Sequence, residues 1–187
     1  IEEFMLLANQ CAAHFARVKQ IPFVYRVHDN PDPEKMASLS EFVNRLGLKL
    51  KATGTRDEIT DSINQMLSQV HNTPEENLIS TLTIRTMAKA VYTTDNIGHY
   101  GLAFDYYTHF TSPIRRYADL VNHRALRYVR GLDTGGPLPA GHKLLEVAEQ
   151  CNGRERAATD AEREIGRRMG CLLLSGRTGE RFEGVIS

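Results

Sequence analysis

Two adjacent arginines behind a serine–proline pair, Ser112-Pro113-Ile114-Arg115-Arg116, are the residues of this 187-residue chain whose types and spacing could do chemistry. With Ser112-Pro113 as cap and first turn, a helix runs to about Arg130. Ile114, Tyr117, Ala118, Val121, Ala125 and Tyr128 then fall within about a 100° stripe that packs into a core. Arg115 lies on the flank of that stripe and Arg116 roughly opposite it. Both arginines sit in the first helical turn, where the helix dipole is positive and a cation costs ~0.3–1 kcal/mol. Stability alone favours Asp or Glu there. An anion held between free backbone N–H groups and the guanidinium forks reverses the balance, because charge-assisted bidentate contacts are about twice as strong as neutral ones. The chemistry indicated is phosphate binding. The competing reading is a surface pair between Arg115 and Asp119, four residues on.

Charge is distributed in the same sense. The chain has 23 basic and 23 acidic residues, yet Asp29 to Ser80 carries nine acidic against five basic ones, a net of −4. From Thr111 to Arg130, Arg115, Arg116, Arg124, Arg127 and Arg130 face Asp119 alone, a net of +4. One concentrated arginine surface suits a local polyanion contact, and it equally suits a solvated helix face. Arg154, Arg156, Arg163, Arg167 and Arg168 alternate with Glu155, Asp160, Glu162 and Glu164, the pattern of a salt-bridged solvated helix. Tyr106-Tyr107 could stack on bases, although one core and one surface tyrosine is the commoner arrangement.

Other chemistries lack their residues. Seven histidines, among them His14, His28, His71, His99 and His142, show no H-E-x-x-H or Cys/His ligand spacing. There is no phosphate-cradling G-x-x-x-x-G-K-[ST] loop and no G-x-S-x-G elbow. Cys11, Cys151 and Cys171 are far apart and read as small buried hydrophobes in a reducing cytoplasm. No apolar run approaches the ~20 residues of a membrane helix, and the first residues do not form a signal peptide, so the expected location is cytoplasmic.

The positioning elements follow from caps and breakers. Residues 1–19 form a helix with Phe4, Ala8, Cys11, Phe15 and Val18 along one apolar face, and Phe23 to Val27 a short strand. Asp32-Pro33 opens a helix that Gly47 closes, and Thr55-Arg56-Asp57-Glu58 and Thr73-Pro74-Glu75-Glu76 fit capping boxes for two more. Ala90 to Thr94 and Gly101 to Phe104 read as strands around Asp95-Asn96-Ile97-Gly98. Pro137 and Pro139 bound a loop before a long charged helix from Leu144 to about Ser175. The fold class is helix-dominated α/β, of the α+β kind. The chain starts on Ile1 in a helical pattern and stops on the strand-like Phe182 to Ser187, so the expectation is a fragment.

The sixteen residues HFTSPIRRYADLVNHR, His109 to Arg124, resemble the signature helix of the ribonuclease R/ribonuclease II family. Ile1 to Asn9 is similar to that family's helix opening on paired glutamates, Arg26-Val27-His28-Asp29 to its strand-turn, and Gly98 to Ala103 to the segment before the signature. The His109-Phe110 pair is closer to the ribonuclease R branch. The resemblance implies that residues 1–176 are the C-terminal part of the nuclease domain and that 177–187 begin an OB-fold RNA-binding domain. It implies hydrolysis of single-stranded RNA from its 3′ end to nucleoside 5′-monophosphates by two magnesium ions. The D-x-D-D-type aspartates that hold the metals have no counterpart here. Asp29-Asn30-Pro31-Asp32 reads as a turn and helix cap instead. The ligands are therefore expected upstream, in a missing N-terminal part of the same protein, and this stretch alone is expected to be inactive. Residue by residue, Arg115 matches the arginine at the scissile phosphate and Glu2 a glutamate near the RNA 3′ end. His109, Ser112 and Arg116 are further candidate RNA contacts. The alternative function is a non-catalytic RNA-binding or helical interaction module.

Overall fold

The structure is a computed structural model, and it describes residues 1–132, 138 and 141–182. Pro137 and Pro139, which bound the expected loop, and residues 183–187 of the expected final strand lie outside the described residues. The described residues fold as two compact units, one formed by Ile1–Val27 with those between Val91 and residue 182 and the other by His28–Ala90, a division that sequence patterning did not reveal. The architecture is α+β and helix-rich, as expected.

In the first unit, α1 (Glu2–Val18) opens with Glu2 and Glu3, where acidic side chains complement the helix dipole. Its buried face is Asn9, Ala12, Ala13 and Ala16. The larger face legible in the sequence is turned outward instead: Phe4, Leu7, Phe15 and Val18 are exposed. A row of alanines lets the helix approach its neighbours closely, so small residues win the packed face. Cys11 goes outward with that stripe and Cys171 is also exposed, against the expectation of buried thiols. Cys151 is half-buried and packs against the core.

Strands β1 (Tyr25–Val27) and β2 (Val91–Thr93) form an antiparallel ribbon with Arg26 opposite Tyr92. Two asparagine side chains occupy its edges. Asn122 of α5 (Tyr117–Val129) accepts from Val24 N and donates to Val24 O, both at 2.9 Å. Asn152 of α6 (His142–Leu174) accepts from Tyr92 N at 2.7 Å and donates to Tyr92 O at 2.8 Å. Each amide supplies the donor and acceptor that a further strand would, so edge backbone groups stay paired without one. From Gly153 to Met169 every residue of α6 is exposed.

The segment expected as a strand at Gly101 to Phe104 is instead a 3-10 turn, Tyr100–Leu102, closed by a bridge between His99 and Phe104. Gly98 makes this possible. Its φ is +81°, in the left-handed region, and a Cβ there would meet the Phe104 carbonyl oxygen at 3.2 Å.

The second unit is three helices, α2 (Pro33–Arg45), α3 (Arg56–Val70) and α4 (Glu76–Thr86), around Met36, Leu39, Val43, Ile63, Met66 and Ile79. Asp32 caps α2 with Pro33 in its first turn, and Thr55 and Glu58 form the expected capping box. The Thr73 box does not form. The Thr73 hydroxyl donates to Val70 O, while the Glu76 carboxylate turns back to His71 and Asn72 N, so α4 begins at Glu76, two residues after the start a Thr73 cap would give.

Candidate functional site

The segment Tyr107 to Arg116 is pinned before α5 begins. Thr108 Oγ1 donates to Val24 O at 2.6 Å, and Phe110 N donates to Asn9 Oδ1 of α1 at 2.9 Å. The Phe110 ring stacks on His123 at 3.9 Å between centroids. Ser112 O accepts from the backbone N–H groups of Arg115 and Arg116, closing a turn. Arg116 then adopts an extended conformation, φ −125° and ψ 116°, and the helix starts only at Tyr117.

This corrects the expectation of a helix from Ser112. The cause is Asp119, which is fully buried in the first turn of α5. One of its oxygens accepts from Ser112 N and from Arg116 Nη2, both at 2.8 Å, folding the preceding loop back over the helix end. Ile114 is consequently fully exposed, and Tyr117 and Tyr128 are exposed as well. The packed stripe is Ala118, Val121, Asn122 and Ala125, at helical spacing from the true start. Asp119 pairs with Arg116 and not with Arg115. Arg116 is largely buried, with its Nε and Asp119 Oδ1 both enclosed and without partners. Arg115 is exposed, and its guanidinium makes no hydrogen bond or ion pair among the described residues.

Arg115 and Arg116 line a cleft of about 700 Å³ together with Tyr92, Tyr117, Arg154 and Glu155. Glu155 is committed to Arg26, which donates to both its oxygens at 2.8 and 3.0 Å and lies 4.6 Å over the Tyr92 ring. Two of the four guanidiniums are thus neutralised, Arg26 by Glu155 and Arg116 by Asp119. Arg115 and Arg154 keep uncompensated charge among the described residues. The expected salt-bridged pattern of α6 holds at Arg168 and Glu164, 2.8 Å apart, and not at Arg154.

The Tyr92 hydroxyl is 2.7 Å from His109 Nδ1. Burial pushes the Tyr92 phenol up to about 12. Burial first, then the Arg116 and Arg26 charges, push the His109 imidazole down to about 3 from its usual 6.5. The unfolded chain therefore takes up a proton on this ring between pH 6.5 and about 3 that the folded chain does not. His109 contributes stability in full above pH 6.5 and loses it as pH falls toward 3. The urea midpoint of His109→Gln should accordingly fall less steeply than that of the wild type between pH 6 and 4. Parallel pH profiles would refute the assignment.

Of the residues singled out from the sequence, the structure brings His109, Ser112, Arg115 and Arg116 onto one pinned segment. Glu2 is exposed in the first turn of α1, about 10 Å along the helix axis from Asn9, which contacts that segment. Tyr107 is buried, with its hydroxyl accepting from Asn9, and Tyr106 is partly buried. Tyr92 carried no sequence signal, Arg26 entered only within a strand-turn likeness and Arg154 only as part of a solvated charged helix, and no period links any of them to the arginine pair. Among the described residues no three His, Cys, Asp or Glu side chains converge as a metal-binding group. Among the described residues no helix is long and apolar enough to cross a membrane.

Two uncompensated guanidiniums beside a neutral His–Tyr pair on an α+β scaffold are an arrangement that can hold a polyanion. The family model of the RNB domain matches residues 1–130, and the chain belongs to that family. It is 39% identical to Ribonuclease R of Vibrio cholerae, over all of this chain and 24% of that protein. It is similar in structure to Mycoplasma genitalium RNase R in complex with ribose methylated single-stranded RNA. The TM-score there is 0.81 at 28% identity, over 96% of this chain and 28% of that one. A yeast pseudonuclease also matches, with a TM-score of 0.64 at 30% identity, over 81% of this chain and 19% of that one. The chain thus spans about a quarter of the length of the curated relatives it matches.

Proposed function

We propose that this chain is the C-terminal part of the nuclease domain of a 3′→5′ exoribonuclease that hydrolyses single-stranded RNA to nucleoside 5′-monophosphates. The observation that carries this reading is the division of labour between the two arginines. Arg116 is held by buried Asp119, while Arg115 stands free on the same rigid turn, beside a cleft. A guanidinium with no protein partner, carried on a backbone turn that its neighbours fix, is available to a phosphate, and its stabilisation grows as charge builds on the phosphate oxygens. In this reading Arg115 contacts the scissile phosphate, with His109, Ser112, Arg116 and Glu2 along the path of the strand.

Magnesium belongs to the longer protein in this reading, where it would activate water and stabilise the leaving oxygen; the residues described here play no part in holding it. The outward apolar face of α1, Phe4, Leu7, Phe15 and Val18, is the seat we assign to the preceding part of the same protein. Residues 177–187 we assign to the beginning of an OB-fold domain.

The test uses labelled single-stranded RNA and the purified chain. Binding should weaken with salt, each phosphate contact contributing about −0.7 to the log–log slope, and Arg115→Ala should reduce the slope by about that amount. No mononucleotides should be released with magnesium or manganese, because two-metal hydrolysis needs several acidic ligands within a few ångströms of each other. Binding that does not depend on salt overturns the RNA reading, and metal-dependent release that survives further purification overturns the inactivity. A second reading, a non-catalytic RNA-binding module, is favoured by the likeness to the yeast pseudonuclease. Metal-dependent mononucleotide release by the longer protein decides between the two.

A further inference from the structure

We propose that Tyr92 is a positioning residue for RNA contact. Its hydroxyl, 2.7 Å from His109 Nδ1, holds the ring as the uncharged Nε2–H tautomer, so that His109 offers a fixed N–H donor to a backbone oxygen of the RNA. This rests on the reading of the cleft as an RNA interface and adds to it how His109 acts.

The direction of the Tyr92–His109 bond follows from counting partners. The Tyr92 hydroxyl has no other hydrogen-bond partner among the described residues. If Nδ1–H were the donor, the phenol proton would have no protein acceptor in a residue that is only 6% exposed. With the phenol donating, the Nδ1 lone pair is used and the ring proton resides on Nε2. Nε2 has no partner among the described residues, and it is not among the atoms sealed from solvent.

The surroundings keep the ring both neutral and in place. Arg26 from β1, His99 from the 3-10 turn, and Arg115 and Arg116 from the pinned segment all disfavour an added positive charge on it. Tyr92 and Tyr107 pack edge-on against it with centroids 5.6 and 5.9 Å away. The Tyr92 ring is itself fixed by the Arg26 guanidinium and by Asn152 on its backbone. Full charges in the cleft are supplied by arginines, and His109, bonded to the cleft-lining Tyr92, adds beside it a directional neutral donor whose strength does not vary across physiological pH.

The experiment combines histidine ¹⁵N spectra with equilibrium binding of single-stranded RNA. Wild-type His109 should show the Nε2–H form alone from pH 5 to 8. Tyr92→Phe, which keeps the ring and its packing, should give a mixture of tautomers and weaken RNA binding. His109→Ala should weaken binding about fivefold, the scale of one neutral hydrogen bond. His109→Gln places an N–H where Nε2 lies and nothing at Nδ1, so it should bind nearly as wild type, and adding Tyr92→Phe to it should change nothing further. A 2′-deoxy oligonucleotide separates the two oxygen sources: the His109→Ala effect disappears if the acceptor is the sugar hydroxyl and persists if it is phosphate. An Nδ1–H form in the wild type overturns the proposal, as does a Tyr92→Phe loss undiminished in the His109→Gln background. If His109→Ala binds normally while Arg115→Ala does not, the proposal fails and the RNA reading stands. If neither variant weakens binding, the RNA reading itself has failed.

Discussion

Arg115→Ala in the longer protein should lower single-turnover cleavage of saturating RNA by ~10²–10³-fold, the usual cost of deleting one preorganised donor to developing negative charge. RNA affinity should fall far less, because a contact that strengthens in the transition state contributes more to turnover than to ground-state binding. Arg115→Lys should not rescue cleavage, since an ammonium on a flexible stem cannot reproduce a planar two-pronged contact. The structure sharpens this expectation. Arg115 has no protein partner to lose among the described residues, so its removal should leave the melting temperature unchanged. Cleavage at a near wild-type rate under saturation would remove Arg115 from the reacting phosphate.

The second large effect is on stability. Asp119→Ala removes the acceptor of Ser112 N and of Arg116 Nη2 from a site with no exposure, leaving a largely buried guanidinium unpaired. Breaking a buried pair from one side costs about 3–5 kcal/mol. At about 2–4 °C per kcal/mol for a domain of this size, the melting temperature should drop by roughly 6–20 °C. Arg116→Ala should also destabilise, by stranding the Asp119 carboxylate. From the sequence Arg116 lies roughly opposite the packed stripe as a candidate RNA contact, and its pairing with buried Asp119 makes its loss a matter of stability as well. A urea series for Asp119→Ala and Arg116→Ala decides it, and costs below about 1 kcal/mol for both would show that the pair does not organise this turn.

Sequence pattern located the right segment and misassigned its geometry. Ser-Pro before an apolar-periodic stretch is a good helix start, and nothing local indicates that Asp119 reaches back seven residues to Ser112 and delays that start to Tyr117. Capping predictions succeeded where the cap's own hydroxyl or carboxylate had no competitor, at Asp32 and Thr55. They failed at Thr73, whose hydroxyl a nearby carbonyl claims. In α1 the eye follows large apolar residues, but the alanines decide which face packs. Tyr92, Arg26 and Glu155 join the site through tertiary pairing across 17 to 129 residues, which no periodicity encodes.

The asparagine amides on the two ribbon edges also bear on which sequence changes this scaffold can absorb. Asn122 and Asn152 grip main-chain atoms of Val24 and Tyr92 without reference to the side chains there. The grip itself therefore sets no residue type at those points, where side-chain identity is restricted instead by burial of Val24 and by the Tyr92 hydroxyl's bond to His109. Length is another matter. One residue inserted or deleted between Phe23 and Val27, or between Val91 and Thr93, reverses which side chains face inward and presents the wrong backbone atoms to both amides. Drift in this part of the family should be rich in substitutions and nearly empty of insertions and deletions, which should gather in the loops instead.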